Sequence, residues 1–352
     1  MLAAYVTGHG FGHLTRLCEV LAAVRARAPA LPIAVVGALG VMAEALVRRA
    51  VAPPLALRPV ACDVGLAQRD ALEIDEPETA ARCRAFDASW AERAGAEAAF
   101  LRGSGARAVL ADVPPLAFDA AARAGVPALA LGNFSWDWIY RHLAVREPSL
   151  AASAARAARA YATARLLLEL PFAGDLSAFP RRERVGFVAR RPRVPRAEAR
   201  RRLGLDARPA VLLSFGGFGL PGLSRAAAGE PGLRVLLPDD LPSERLDALG
   251  LGYPDVLGAA DVVVTKPGYG IVTDAIGAGT RLVYTDRGDF PEYPVMIREM
   301  PRWLACVHAP SADVRAGRIG DAVRQALALP VPPPPDLGGA ERAAERLLAI
   351  VG

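Results

Sequence analysis

Short apolar runs alternate with longer amphipathic stretches from the start of the chain. Residues 2–6 (LAAYV) and 33–36 (IAVV) are apolar throughout, and 14–27 between them places apolar positions at helical spacing. Residues 108–111 and 128–131 repeat the theme around a helix at 117–123. The stretch 76–102 reads as one long helix, and 164–170 as a further buried strand. Strands apolar on both faces and separated by helices predict a parallel sheet covered on both sides.

The pattern breaks at 171–209, which is rich in Pro and Arg, and then restarts. Residues 211–214, 234–237, 261–265 (DVVVT) and 281–285 (RLVYT) predict strands, with a helix from about 271. PVPPPP at 330–335 precedes a last amphipathic helix at 340–350. The expected organisation is a Rossmann-like domain over 1–175, a basic linker over 176–205, a second Rossmann-like domain over 206–335, and a terminal helix over 336–352. In open α/β sheets ligands bind at the carboxyl ends of strands. Two such domains are expected to face a central cleft.

With 53% hydrophobic and 22% charged residues, the chain belongs among globular proteins, not disordered ones. No apolar stretch reaches a membrane-span length, and the opening residues lack the basic region of a signal peptide. The expected location is cytoplasmic. Cys18, Cys62, Cys83 and Cys306 are far apart, which predicts neither a disulfide framework nor a zinc site. Positive charge gathers in RRERVGFVARRPRVPRAEARRR at 181–202. Such a run suits peripheral contact with an acidic lipid surface or with nucleic acid. Phe187 is its one aromatic residue, too few for a stacking platform, which favours a solvated linker over a nucleic-acid platform. Lys and Arg total 42, yet Lys266 is the only lysine. It marks a position where a compact ammonium is wanted.

The candidate chemistry lies in the turns. After the first strand comes Gly8-His9-Gly10-Phe11-Gly12-His13, at the mouth of a helix. Glycines allow close approach of a ligand, and the free N–H groups of a helix start favour an anion. The spacing is not that of a dinucleotide fingerprint, and no acidic residue ends the second strand, so NAD and FAD are not expected. His13 is the candidate general base, because imidazole titrates near neutrality; His9 reads as a second group at the same lip. The turn TKPGYGIVTDAIGAG places Lys266 before Gly268, Tyr269, Gly270 and Ile271, with Thr273 and Asp274 one turn into the helix. This arrangement suits a phosphate on the helix N-terminus and a ribose diol on Asp274. It is not a Walker loop, since the lysine precedes its glycines. Gly216, Gly217 and Phe218 read as another anion-accepting turn. Asn133, Ser135, Trp136 and Asp137 in GNFSWDWIY join aromatic faces to hydrogen-bonding groups, as a sugar site does. A hydrophobic plug has the same composition. Asp137 is the alternative base.

YVTGHGFGH, GNFSWDWIY and TKPGYGIVTDAI together resemble the glycosyltransferase-like N-terminal part of L-arabinokinases and its stand-alone bacterial relatives. More remotely, the layout is similar to the family containing the lipid II-forming N-acetylglucosaminyltransferase. The resemblance implies a GT-B fold of two Rossmann-like domains. It implies a nucleotide diphosphate sugar held by the C-terminal domain, with the Gly268–Gly270 turn on the diphosphate. Asp274 then stands where that transferase family has a ribose-binding Glu, and Asp289 and Glu292 stand near the donor sugar. No cofactor and no metal are implied. The sugar-kinase half of arabinokinase has no counterpart in these residues, and kinase activity is not expected. The expected function is therefore a glycosyltransferase with an unidentified acceptor. A nucleotide-sugar hydrolase or epimerase, and a non-catalytic nucleotide-sugar-binding protein, are the alternatives.

Overall fold

The computed structural model describes residues 1–70, 72–215 and 230–352. The expected turn at Gly216, Gly217 and Phe218 lies outside them. The chain divides into two compact units. The first holds Met1–Ala67, Asp75–Val188 and Asp336–Gly352; the second holds Gln68–Ile74 and Ala189–Pro335.

In the first unit the strands are β1 (Leu2–Val6), β2 (Ile33–Gly37), β3 (Leu55–Pro59), β4 (Ala108–Asp112), β5 (Ala128–Gly132), β6 (Leu166–Glu169) and β7 (Arg182–Arg184). They form a parallel sheet in the order β3-β2-β1-β4-β5-β6-β7. The order reverses direction between β1 and β4, where the crevice for a ligand is expected. Register sets Val6 beside Asp112, so both strands end together. The helices here are α1 (Phe11–Arg27), α2 (Val41–Ala50), α3 (Glu76–Ala88), α4 (Trp90–Gly103), α5 (Pro115–Ala124), α6 (Trp136–Leu143) and α7 (Leu150–Tyr161). The stretch read as one helix over 76–102 is two, α3 and α4, broken at Ser89.

In the second unit α8 (Arg196–Arg202) precedes β8 (Ala210–Ser214). After the undescribed stretch come β9 (Arg234–Leu236), α9 (Ser243–Ala248), α10 (Tyr253–Ala259), β10 (Val262–Thr265), α11 (Tyr269–Ala278), β11 (Arg281–Thr285) and α12 (Glu292–Glu299). β12 (Cys306–Ala309), α13 (Ser311–Arg315) and α14 (Gly320–Ala328) complete it. The sheet is again parallel, in the order β12-β11-β10-β8-β9. Leu72, from the early excursion at 68–74, packs in this unit's core with Val211, Val264 and Val283. The last helix, α15 (Gly339–Val351), returns to the first unit and buries Ala343, Ala344, Leu347 and Val351.

The stretch expected as a linker, 176–205, is structured and divides between the units at Val188 and Ala189. It supplies β7 and α8, and Phe179, Val185 and Phe187 are buried. Several of its arginines form ion pairs within the protein. Arg196 and Arg200 grip Asp261 at 2.7 and 3.0 Å, and Arg201 and Arg202 share Glu198. Much of the charge that looked free in the sequence is internally paired. Among the described residues no helix is long and apolar enough to cross a membrane.

Candidate functional site

The glycine-rich turn after β1 stands at the reversal point of the first sheet. Gly10 caps α1 with φ 96°, a left-handed conformation that a side chain would strain, and this lets the helix begin at Phe11. His13 therefore lies in the first turn of α1, and its Nδ1 is 2.8 Å from Asp112 Oδ1 at the end of β4. A carboxylate only accepts, so the hydrogen sits on Nδ1 and the Nε2 lone pair is left for another partner. The imidazole is 12% exposed and Asp112 is fully buried. Arg16, one helical turn on, grips the same carboxylate from Nε at 2.5 Å and Nη2 at 2.6 Å, and donates from Nη1 to Asn133 Oδ1 at 2.8 Å. Arg16 Nη2 also comes within 3.1 Å of His13 Nδ1, because both share Asp112 Oδ1. Burial alone would push the Asp112 carboxyl up; the Arg16 guanidinium and His13 outweigh it and hold the group below its usual range. Sequence reasoning passed over Asp112 and Arg16. The available signal was an acid closing an otherwise apolar strand, AVLAD, beside the strand that leads into GHGFGH.

Other expected site residues take supporting places. His9 accepts a hydrogen bond on Nδ1 from Leu66 N–H at 3.2 Å, and its ring meets Trp136 edge-on at 5.4 Å. Asn133 and Ser135 are fully buried, and Trp136 is 1% exposed. Trp136 is stacked on Tyr140, and Phe134 lies edge-on to both His13 and Trp136. The aromatic segment is thus the start of α6 and a packed floor, not the open stacking platform that its composition allowed. Asp137 is also buried. Its near partner is Arg141 at 3.2 Å, and its Oδ1 has no hydrogen-bond partner. Burial raises its carboxyl, against the pull of Ser135 and Arg141. The contacts around Asp137 do not include His13. A cavity of about 400 Å³ opens along Gly8, Gly10, Phe11 and Leu14 toward Leu39, Val41 and Met42, lined mainly by apolar groups.

In the second unit α11 starts where β10 ends. Gly268 is its N-cap without a side-chain cap, and no acidic residue in the first turn offsets the positive end of the helix. Lys266 precedes this turn. Burial and the neighbouring Arg287 lower its ammonium to about 8, with Asp70 opposing. Arg287 was not anticipated. It donates from Nη1 to Pro267 O at 3.2 Å, lies 4.0 Å over the Phe290 ring, and its buried Nε has no partner among the described residues. Two neighbouring cations at a helix start are the kind of groups that favour an anion. Tyr269 is nearly buried, Ile271 partly so, and buried Thr273 donates back to Gly270 O.

Asp274 has a partner that the sequence did not reveal. It is 2% exposed, and its Oδ2 receives Arg190 Nε at 2.9 Å and Nη2 at 2.5 Å, while Oδ1 receives the Arg190 N–H. The expected ribose ligand is instead an internal anchor for residue 190, because a buried carboxylate needs a charge beside it. Asp289 is exposed, and Glu292 opens α12, where it acts on Arg287. Among the described residues no group of three or more His, Cys, Asp or Glu could hold a metal.

Several known structures have this architecture. The glycotransferase of kitacinnamycin aligns over 100% of this chain and 96% of its own, with TM-score 0.60 and 18% identity. A UDP-glucosyltransferase from Polygonum tinctorium aligns over 99% and 98%, with TM-score 0.60 and 13% identity. UGT89C1 of Arabidopsis thaliana, complexed with UDP, aligns over 99% of each chain, with TM-score 0.62 and 15% identity. The fold is GT-B. In sequence, L-arabinokinase of Arabidopsis thaliana is 31% identical over 321 residues, which is 87% of this chain. The chain spans 30% of that relative's length. No protein-family model matches the chain.

Proposed function

We propose that the protein is a glycosyltransferase that moves a sugar from a nucleotide diphosphate sugar to an acceptor hydroxyl. The observation that carries this reading is the His13–Asp112 pair: an imidazole with a fixed tautomer, its Nε2 left to take a proton, at the reversal point of a GT-B sheet. Asp112 orients the ring, and Arg16 holds Asp112 ionised. His13 accepts the acceptor's proton as the new C–O bond forms at the sugar carbon. The bond from that carbon to the diphosphate breaks, and the nucleoside diphosphate leaves with its electron pair.

In the second unit, Lys266, Arg287 and the start of α11 are the groups suited to carry the negative charge of a nucleoside diphosphate. A solved neighbour complexed with UDP supports a nucleoside diphosphate as the ligand class. No cofactor and no metal enters this scheme, since Lys266 and Arg287 supply the positive charge. The cavity beside the turn gives an acceptor room, and its apolar lining favours one with an apolar portion. The reading is tested by calorimetry against UDP, GDP, dTDP, ADP and CDP. Saturable binding of one of them, weakened in Lys266→Ala, is expected. His13→Ala is expected to keep that binding and lose turnover. Donor consumed without an acceptor would favour the hydrolase alternative, and no binding to any nucleotide would overturn both.

A further inference from the structure

We infer that Asn133 is a positioning residue for His13, acting through Arg16 and Asp112 and not on a sugar. The inference rests on the proton-acceptor role proposed for His13. Asn133 directly follows β5 and is fully buried. A Cβ at Gly132 would lie 2.8 Å from Val113 Cγ1, so glycine there lets the end of β5 lie close against the residue after Asp112. The main chain of Asn133 is held as well, because its carbonyl accepts from Gly174 N–H at 2.9 Å. Its side-chain Oδ1 accepts from Arg16 Nη1 at 2.8 Å. The next residue, Phe134, meets the His13 ring edge-on, with ring centres 5.3 Å apart. Two neighbouring residues thus touch both groups that share Asp112: Phe134 the imidazole, Asn133 the guanidinium.

The hydrogen bonds give the amide its task. Asp112 Oδ1 takes two donors, His13 Nδ1–H at 2.8 Å and Arg16 Nη2 at 2.6 Å, while Oδ2 takes Arg16 Nε at 2.5 Å. The two donors on Oδ1 are themselves 3.1 Å apart. The imidazole keeps its place there only while Arg16 holds one rotation, with its Nε–Nη2 edge on Asp112 and Nη1 turned away. Asn133 Oδ1 fixes that rotation. Arg16 is 3% exposed, and a buried N–H without an acceptor is costly. With Asn133 Oδ1 removed, the guanidinium is expected to turn Nη1 toward Asp112 and displace the imidazole from Oδ1. An amide suits the position better than a carboxylate, because it accepts without adding an anion that would draw Arg16 off Asp112. The residue whose type suited a sugar hydroxyl therefore serves the tautomer of His13.

The test is NMR of the imidazole nitrogens in the intact chain at about pH 8.5, where an ordinary histidine is neutral. Wild type is expected to show His13 as the Nδ1–H tautomer, its proton shifted downfield by Asp112. Asn133→Leu keeps the size and the burial but removes the acceptor. There His13 is expected to lose that proton signal and to turn to the Nε2–H form. Ser135→Ala removes a bond to Asp175 O from the same segment, and is expected to keep the signal. A folded Asn133→Leu chain that retains the Nδ1–H signal overturns the inference, and so does loss of the signal in both variants. Should Asn133→Leu fail to fold, the Arg16 side chain of the wild type decides. Its Nη1 group, held by Asn133, is expected to give two separate proton resonances, and a single averaged one overturns the inference. With a donor and an acceptor in hand, kcat falls about tenfold in Asn133→Leu while KM for the donor holds, because lost orientation acts on proton transfer and not on nucleotide binding. The NMR measurements need no nucleotide. A chain that binds none of the five diphosphates but loses the tautomer in Asn133→Leu would refute the transferase reading and leave the positioning role intact.

Discussion

Asp112 carries two duties, and they can be separated by measurement. It orients His13, and it neutralises Arg16, which is 3% exposed. Asp112→Ala leaves a buried guanidinium without its anion, and urea unfolding is expected to show a loss of about 3–5 kcal/mol. The pH dependence has a definite sign. The folded carboxyl lies below its ordinary value. Its contribution is therefore present above about pH 4 and is lost as pH falls through the folded value. Lys266 gives the opposite prediction for binding. Its ammonium titrates at about 8, so the anion site loses a charge above that pH. Calorimetric affinity for the preferred nucleoside diphosphate should fall between about pH 7 and about pH 9.5, and the fall should vanish in Lys266→Ala. An equal fall in both chains would remove Lys266 from the site.

At the scale of elements, a few residues decide where helices begin and what they cover. Gly10 lets α1 start early enough to put His13 in its first turn, against Asp112. The helical spacing in the sequence starts the helix at 14 and leaves His13 in a loop. The cause is that capping depends on backbone dihedrals, which apolar spacing does not encode. In the same way GNFSWDWIY has the composition of a sugar-binding loop, yet burial of Trp136 turns it into a helix start and a floor. Helix α15 belongs to the first unit because its apolar stripe packs on α1. Leu347 is fully buried, and Leu347→Ala should cost about 2–5 kcal/mol in denaturant unfolding. A cost near zero would mean that α15 is not held to α1.

At the scale of the whole molecule, the proposed scheme draws its positive charge from Lys266, Arg287 and the start of α11. Turnover, once a donor and acceptor are found, is therefore expected to survive EDTA, and abolition by the chelator would overturn the scheme. The two parallel sheets were legible in advance, because strands buried on both faces must be apolar throughout and their helices must show one apolar stripe. The edge strands β3, β7 and β12 were not, since they are short and partly exposed and carry little of that signal. The sequence by itself determined the fold class and the glycine turns after β1 and β10, through apolar period and glycine placement. Only the tertiary structure decided the partners. It gave His13 to Asp112 and Arg16, Asp274 to Arg190, and Arg287 to the Lys266 turn. Periodicity is a local property of the chain, whereas a charge pair 84 or 99 residues apart exists only after the sheet has brought its strand ends together.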